Sequence, residues 1–256
     1  MKDKHIGVIG AGAMGGSFAA GLVRAGYSPS LITVTNPHEG RLACLKEIGI
    51  NASTDNLDAV SGSDLIIVAV KPWIVPDVIR QIRPAIREGQ EVALIVAGIS
   101  GADLSAMMEL QGVIPTFSIV MPNTAMRLGE SMTFLVPVHG ECPLAGEAFA
   151  MLGKVMQIEE RLLGAGTALA SCGIAYAMRY VRAAVEGGVQ LGFRAADAQA
   201  IVTETIRGAA ALLSQPGAHP ESEIDKVTTP GGITIRGLNT MEQYGFSNAV
   251  IKGLTI

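Results

Sequence analysis

Ile6-Gly7-Val8-Ile9-Gly10-Ala11-Gly12-Ala13-Met14-Gly15 is the stretch whose reading decides the fold. A short apolar run leads directly into glycines at Gly-x-Gly-x-x-Gly spacing, and a segment of helical period follows, which predicts a strand, a tight turn and a helix. Each glycine has its own reason. Gly10 makes the turn, Gly12 lets the backbone approach a ligand, and Gly15 lets helix and strand pack closely, while the helix start offers free N–H groups to phosphates. In this context Gly10, Gly12, Ala13, Met14 and Gly15 are the expected cradle for the pyrophosphate of a dinucleotide. The plain alternative is a glycine turn without a ligand.

Outward from this motif, apolar runs rich in Val and Ile alternate with helical segments. Strands are expected at 5–9, 31–34, 65–70, 92–96 and 113–120, and helices at 13–25, 38–48, 74–86 and 101–109. Continuous rather than alternating apolar runs mark strands buried on both faces, hence a parallel sheet. A last strand pair, 132–136 and 155–158, closes this half. Beyond Glu160 the chain reads as helices, one at 163–191, one at 195–213 and one from Pro230. The expected fold class is α/β: an N-terminal Rossmann-type parallel sheet domain (1–160) followed by an all-helical dimerisation domain (161–256). Ala165, Ala168, Ala175, Ala183, Ala184, Gly187 and Gly188 put small residues on several faces of the long helix. Such a helix needs burial on all sides, and a short helical half cannot supply it alone, so an intertwined homodimer is expected.

The 256 residues are 49% hydrophobic with a net charge of −4, which excludes a disordered tail. With no Lys or Arg run, neither nucleic acid nor an anionic membrane is an expected partner. The apolar runs are far shorter than the ~20 residues of a membrane helix. Residues 1–5 run straight into the first strand without a secretion signal, and Cys44, Cys142 and Cys172 lack Cys-x-x-Cys spacing. A cytoplasmic protein without a metal site is the expectation.

The end of the second strand reads Thr35-Asn36-Pro37-His38. An NAD site usually carries Asp or Glu there for the ribose hydroxyls, and here no carboxylate repels a 2′-phosphate. Thr35 and Asn36 can donate hydrogen bonds, with His38 and Arg41 as cationic neighbours, so NADP (as NADPH) is favoured over NAD. A simple Asn-Pro turn with solvated His38 and Arg41 is the other reading.

Hydride delivery to a carbonyl makes an alkoxide and calls for a proton donor. The only lysines of the helical half are Lys226 and Lys252 and its one histidine is His219, and none stands in a recognisable acid-base constellation. An iminium is already activated and needs only positioning and an anion site. Thr228-Thr229-Pro230-Gly231-Gly232-Ile233-Thr234 suits the latter. Thr229 as N-cap, Pro230 at the first helical position, and outward N–H groups of Gly231, Gly232 and Ile233 would hold a carboxylate. An ordinary Thr-Pro helix start is the alternative.

Together these segments resemble the pyrroline-5-carboxylate reductase family over nearly the whole chain. Besides the fingerprint, the likeness rests on Val68-Ala69-Val70-Lys71-Pro72, Ala97-Gly98-Ile99, Met121-Pro122-Asn123-Thr124, Thr167-Ala168-Leu169, Gly187-Gly188-Val189 and Thr229-Pro230-Gly231-Gly232. The resemblance implies that Ala69, Val70, Lys71, Pro72, Ala97, Gly98, Met121, Pro122 and Asn123 line the nicotinamide side of a cofactor cleft, and that Asn56 touches the adenosine ribose. It implies that the substrate carboxylate sits on Thr229, Gly231, Gly232, Ile233 and Thr234, with Thr234 beside the ring nitrogen as the catalytic residue. It also implies dimers interlocked through the helical half, in some members assembled into larger rings.

The implied reaction is reduction of 1-pyrroline-5-carboxylate to L-proline. Where the family usually reads Ser-Gly-Ser-Gly-Pro-Ala-Tyr, this chain has Ala170-Ser171-Cys172-Gly173-Ile174-Ala175-Tyr176, and Asn-Thr-Pro becomes Asn123-Thr124-Ala125. Two other readings are a catalytically silent NAD(P)-binding paralogue, or a reductase of a different imine, and a 3-hydroxyacid dehydrogenase. Only Arg179 and Arg182 stand as cations in the long helix, where the last would need a lysine.

Overall fold

The apolar run Ile6–Ile9 forms β1, buried along its whole length. The chain continues through α1 (Ala13–Arg24), β2 (Ile32–Thr35), α2 (Ala43–Glu47), β3 (Asn51–Ser53), α3 (Asn56–Val60), β4 (Leu65–Val68), α4 (Val75–Ile82), β5 (Glu91–Leu94), α5 (Gly101–Met108), β6 (Thr116–Met121), β7 (Ser131–His139), α6 (Pro143–Ala150) and β8 (Gly153–Gln157). These coordinates are a computed structural model that describes residues 1, 3–108 and 115–255; Glu109, Val113 and Ile114, expected in a helix end and a strand start, lie outside that range. Two units are distinct, Met1–Ser171 and Cys172–Ile256.

In the first unit one sheet runs β3-β2-β1-β4-β5-β6-β7-β8. The strands from β3 to β6 are mutually parallel, β7 is antiparallel to β6, and β8 is parallel to β7. The register is set at the centre, where Ile6 stands opposite both Ile32 and Leu65. One face of the sheet packs on α1 and α6 through Phe18, Leu22 and Phe149, with the two phenyl rings 4.8 Å apart. The other packs on α3, α4 and α5 through Val60, Ile79, Ile82, Leu104 and Met108. Each fully buried side chain of this size contributes about 1.5–3 kcal/mol.

The expected strands form with ends displaced by a few residues, and the 132–136 and 155–158 pair becomes the parallel edge β7 and β8. The helix expected at 38–48 is instead a 3-10 turn, Glu39–Arg41, followed by short α2, and the one expected at 74–86 stops at Ile82. Pro84, with no N–H to donate, ends the latter. Glu91 at the start of β5 accepts hydrogen bonds from the amides of Leu144 (2.9 Å) and Ala145 (2.7 Å), capping α6 where Cys142 offers no side-chain cap. Burial pushes the Glu91 carboxyl up against the pull of those two amides.

Burial, with the Glu91 charge beside it, also pushes the Cys142 thiol up to about 11. Since the thiolate is the reactive form, native protein at pH 8 should leave Cys142 unlabelled by an aromatic disulfide reagent while exposed Cys44 reacts. Cys142 should react on denaturation; equal rates for the two in native protein would contradict the burial.

After β8 come α7 (Leu163–Gly166), a π turn (Thr167–Cys172) and α8 (Gly173–Gln190), in place of the single expected helix at 163–191. Gly166 is pressed on Phe134, where a Cβ would fall 2.8 Å from the ring, and Thr167 Oγ1 donates to the Leu163 carbonyl at 2.7 Å. A side chain taking a carbonyl of the preceding turn loosens the α register there.

The second unit continues with α9 (Ala195–Leu213), α10 (Pro220–Lys226), α11 (Ile233–Gln243) and α12 (Phe246–Leu254). Helices α8 and α9 approach closely, for a Cβ on Gly188 would lie 3.0 Å from that of Ala198. Ala198 is the only buried residue among the described residues of this unit, and Tyr176, Met178, Tyr180, Leu213, Phe246 and Ile251 remain exposed. A groove of about 720 Å³ lined by Tyr176, Tyr180, Met241, Phe246 and Val250 lies among α8, α11 and α12. Apolar exposure on this scale exceeds that of an ordinary solvated surface.

Candidate active site

Five segments meet at one edge of the sheet because five parallel strands end there. They are Gly10 to Gly15 after β1, Thr35 and Asn36 at β2, Ala69 to Pro72 after β4, Ala97 and Gly98 after β5, and Met121 to Asn123 at β6. The strand order reverses between β1 and β4, and ligands of open α/β sheets bind in the crevice at such a point.

The glycines divide their tasks sterically. Gly10 has φ +107, and a Cβ there would strike the Ala69 carbonyl at 2.5 Å. A Cβ on Gly15 would lie 2.0 Å from the Gly10 carbonyl oxygen, whereas one on Gly12 would meet no atom within 4 Å. Gly12 is the N-cap of α1 without a side-chain cap bond, with exposed Ala13 and half-buried Met14 following. The first N–H groups of α1 therefore face an open space next to a backbone stripped of side chains, which fits a pyrophosphate.

At β2 a chain of side-chain hydrogen bonds runs inward from the strand end. Thr35 is fully buried, and its hydroxyl donates to Asn56 Oδ1 at 2.8 Å, while Asn56 Nδ2 donates to Gln81 Oε1 at 2.8 Å. Thr35 thus orients Asn56. Asn36 is half-buried, with Oδ1 accepting from the His38 amide at 3.0 Å, and His38 and Arg41 are exposed. Further along the edge, Ala69, Val70 and Pro72 are half-buried, and Lys71, Ala97 and Gly98 are exposed. The Ala69 amide donates to Ile9 at 2.8 Å, which fixes this loop against β1.

The β6 end is the most constrained. Met121, Pro122 and Asn123 are buried. Asn123 Oδ1 accepts from the Ala125 amide at 3.0 Å, Nδ2 donates to the Ala170 carbonyl at 3.4 Å, and the Asn123 amide donates to Ser131 Oγ at 3.2 Å. Ser131 in turn pairs with buried Thr133 at 3.0 Å. Ser171 Oγ donates to the Pro122 carbonyl at 3.2 Å. Sequence reasoning missed Ser131 and Ser171 as supports because the first bond depends on the turn between β6 and β7 and the second joins segments 49 residues apart.

In the second unit the turn before α11 departs from expectation. Helix α11 begins at Ile233 with Gly232 as N-cap, so Thr229 is not the cap and Pro230 is not the first helical residue. Gly231 takes φ +69, a left-handed conformation that cannot continue a helix, and the Gly232 amide is used by the Thr229 carbonyl at 2.9 Å. The free N–H groups of this helix start are accordingly those of Ile233, Thr234 and Ile235 rather than Gly232. Thr229, Gly231, Ile233 and Thr234 are exposed, and nothing lies within 4 Å of a Cβ placed on Gly231.

Fold and cradle define a dinucleotide-dependent oxidoreductase followed by a helical domain. The comparisons narrow this. Residues 5–98 match the family model "NADP oxidoreductase coenzyme F420-dependent", and residues 160–255 match "Pyrroline-5-carboxylate reductase dimerisation". Pyrroline-5-carboxylate reductase 2 of Dictyostelium discoideum is 34% identical, over all of this chain and 91% of its own. Reductase 1 of that organism is 37% identical over 99% of this chain, which spans 48% of that longer relative. The fold is that of Plasmodium falciparum pyrroline carboxylate reductase, solved with NADP bound, at a TM-score of 0.88 and 24% identity over 100% of this chain and 95% of that one. The chain belongs to the pyrroline-5-carboxylate reductase family of oxidoreductases.

Proposed function

We propose that the protein reduces 1-pyrroline-5-carboxylate to L-proline with NADPH in the cytoplasm, as a homodimer joined through its helical half and in larger assemblies as a ring of dimers. The observation that carries this reading is the end-to-end likeness to reductases of this name, with the glycine cradle intact. When bound, the cofactor supplies a hydride. The chain's residues do the rest. Gly10, Gly12, Ala13, Met14 and Gly15 seat the pyrophosphate, with Asn36 and Asn56 at the adenosine end and Thr35 holding Asn56. Ala69, Val70, Lys71, Pro72, Ala97, Gly98, Met121, Pro122 and Asn123 form the nicotinamide side.

For the substrate, the amides of Ile233 and Thr234 at the start of α11 bind the carboxylate, and Gly231 and Gly232 allow it to come close beside Thr229. The Thr234 hydroxyl bonds the ring nitrogen. Hydride adds to the C=N carbon while the electron pair of the broken π bond goes to nitrogen, which in the protonated imine already carries its proton. No general acid is required in that step, in keeping with a helical half that lacks an acid-base constellation.

The absence of a carboxylate among Thr35, Asn36, Pro37 and His38 at the end of β2 supports NADPH over NADH. Chiral chromatography of a reaction containing the imino acid and either dinucleotide should show L-proline forming faster with NADPH. L-proline formed only with NADH would reverse the cofactor assignment. Sedimentation velocity should give a dimer or a multiple of one, and a monomer at micromolar concentration would contradict the reading of the exposed helical faces.

A further inference from the structure

The π turn Thr167–Cys172 lies against the end of β6, and two side chains tie them together: Ser171 Oγ donates to the Pro122 carbonyl (3.2 Å), and Asn123 Nδ2 donates to the Ala170 carbonyl (3.4 Å). We propose that Ser171 is a positioning residue: its hydroxyl clamps the Pro122-Asn123 loop onto the π turn and so holds the nicotinamide side of the cleft in its reactive geometry. This deepens, and rests on, the reading of Met121, Pro122 and Asn123 as the nicotinamide wall.

Pro122 has no N–H, and its carbonyl follows the last strand residue, so the loop has few backbone anchors at that point. The wider backbone of a π turn departs from the regular α ladder, which frees such a turn to engage neighbours, and these turns recur at functional sites. Finally, Asn123 is held on its far side by buried Ser131 and Thr133. The loop is fixed from the sheet through Ser131 and from the helix through Ser171 and Asn123, and a small shift of such a wall costs rate before it costs affinity.

The test is Ser171→Ala beside Ser171→Thr, which keeps a hydroxyl at the same carbon. Ser171→Ala should lower kcat about fivefold, raise the primary isotope effect from deuterated NADPH, and leave the NADPH dissociation constant within about twofold, because the pyrophosphate cradle is untouched. Ser171→Thr should recover most of the rate. Amide hydrogen exchange over residues 121–128 should quicken in Ser171→Ala alone. Wild-type kcat and isotope effect in Ser171→Ala, or a loss that Ser171→Thr does not restore, would overturn the proposal. Exchange also separates the clamp from the substrate assignment. If the wild type does not turn over the imino acid, faster exchange in Ser171→Ala still supports the clamp, and unchanged exchange overturns it.

Discussion

Gly12→Val is expected to weaken NADPH binding about a hundredfold, roughly 2.7 kcal/mol, while leaving the protein folded. Gly12 has φ −78 and ψ −168, a conformation open to any residue, and an added Cβ meets no atom of the protein within 4 Å. Only an incoming ligand would meet it. The expected structural cost is that of a poor N-cap, about 1 kcal/mol, or about 2–4 °C in Tm for a chain of this size. Gly15→Val supplies the contrast, since its Cβ would lie 2.0 Å from the Gly10 carbonyl oxygen. That variant should lose stability and affinity together. Titration calorimetry with NADPH and thermal melts of both variants check the pair. Unimpaired binding by Gly12→Val would remove the pyrophosphate from this turn.

Thr234→Ala is expected to lower kcat by about one to two orders of magnitude with NADPH affinity near that of the wild type. Thr234 lies in the first turn of α11, exposed, and its hydroxyl bonds none of the described residues, so its loss takes little from the fold. A hydroxyl donating to the electron pair that develops on nitrogen as hydride adds is worth more in the transition state than in the ground state, and its removal therefore appears in kcat. Steady-state kinetics with the imino acid, beside a direct NADPH titration, separate the two effects. Unchanged turnover, or an equal loss of cofactor binding, would remove Thr234 from the reacting centre.

What could be read beforehand and what could not divide along physical lines. Strands β1 and β4, and β5 after its first residue Glu91, are continuous apolar runs because both sheet faces are covered, and their composition announces them. The three fingerprint glycines were legible because each serves a different steric need of one local turn. Strand β3 was not, for Asn51, Ala52 and Ser53 form a short polar edge strand held by pairing with β2 rather than by burial. The turn at Gly231 misled because Thr-Pro is a good helix start locally, and only the left-handed φ of Gly231 moves that start to Ile233. The bond from buried Thr35 to Asn56 joins residues 21 apart, and no local pattern announces it. The π turn and its ties to Pro122 and Asn123 arise from tertiary contacts that no local period encodes.

The central claim is that this chain delivers hydride to the C=N carbon of a five-membered cyclic imino acid. Initial rates of NADPH oxidation by purified protein with 1-pyrroline-5-carboxylate, beside the six-membered 1-piperideine-6-carboxylate, test it most directly. Saturable turnover with the five-membered ring, at a higher kcat/KM than with the six-membered one, is the predicted result. Absence of turnover with either ring, in protein shown to be folded and to bind NADPH, would contradict the account.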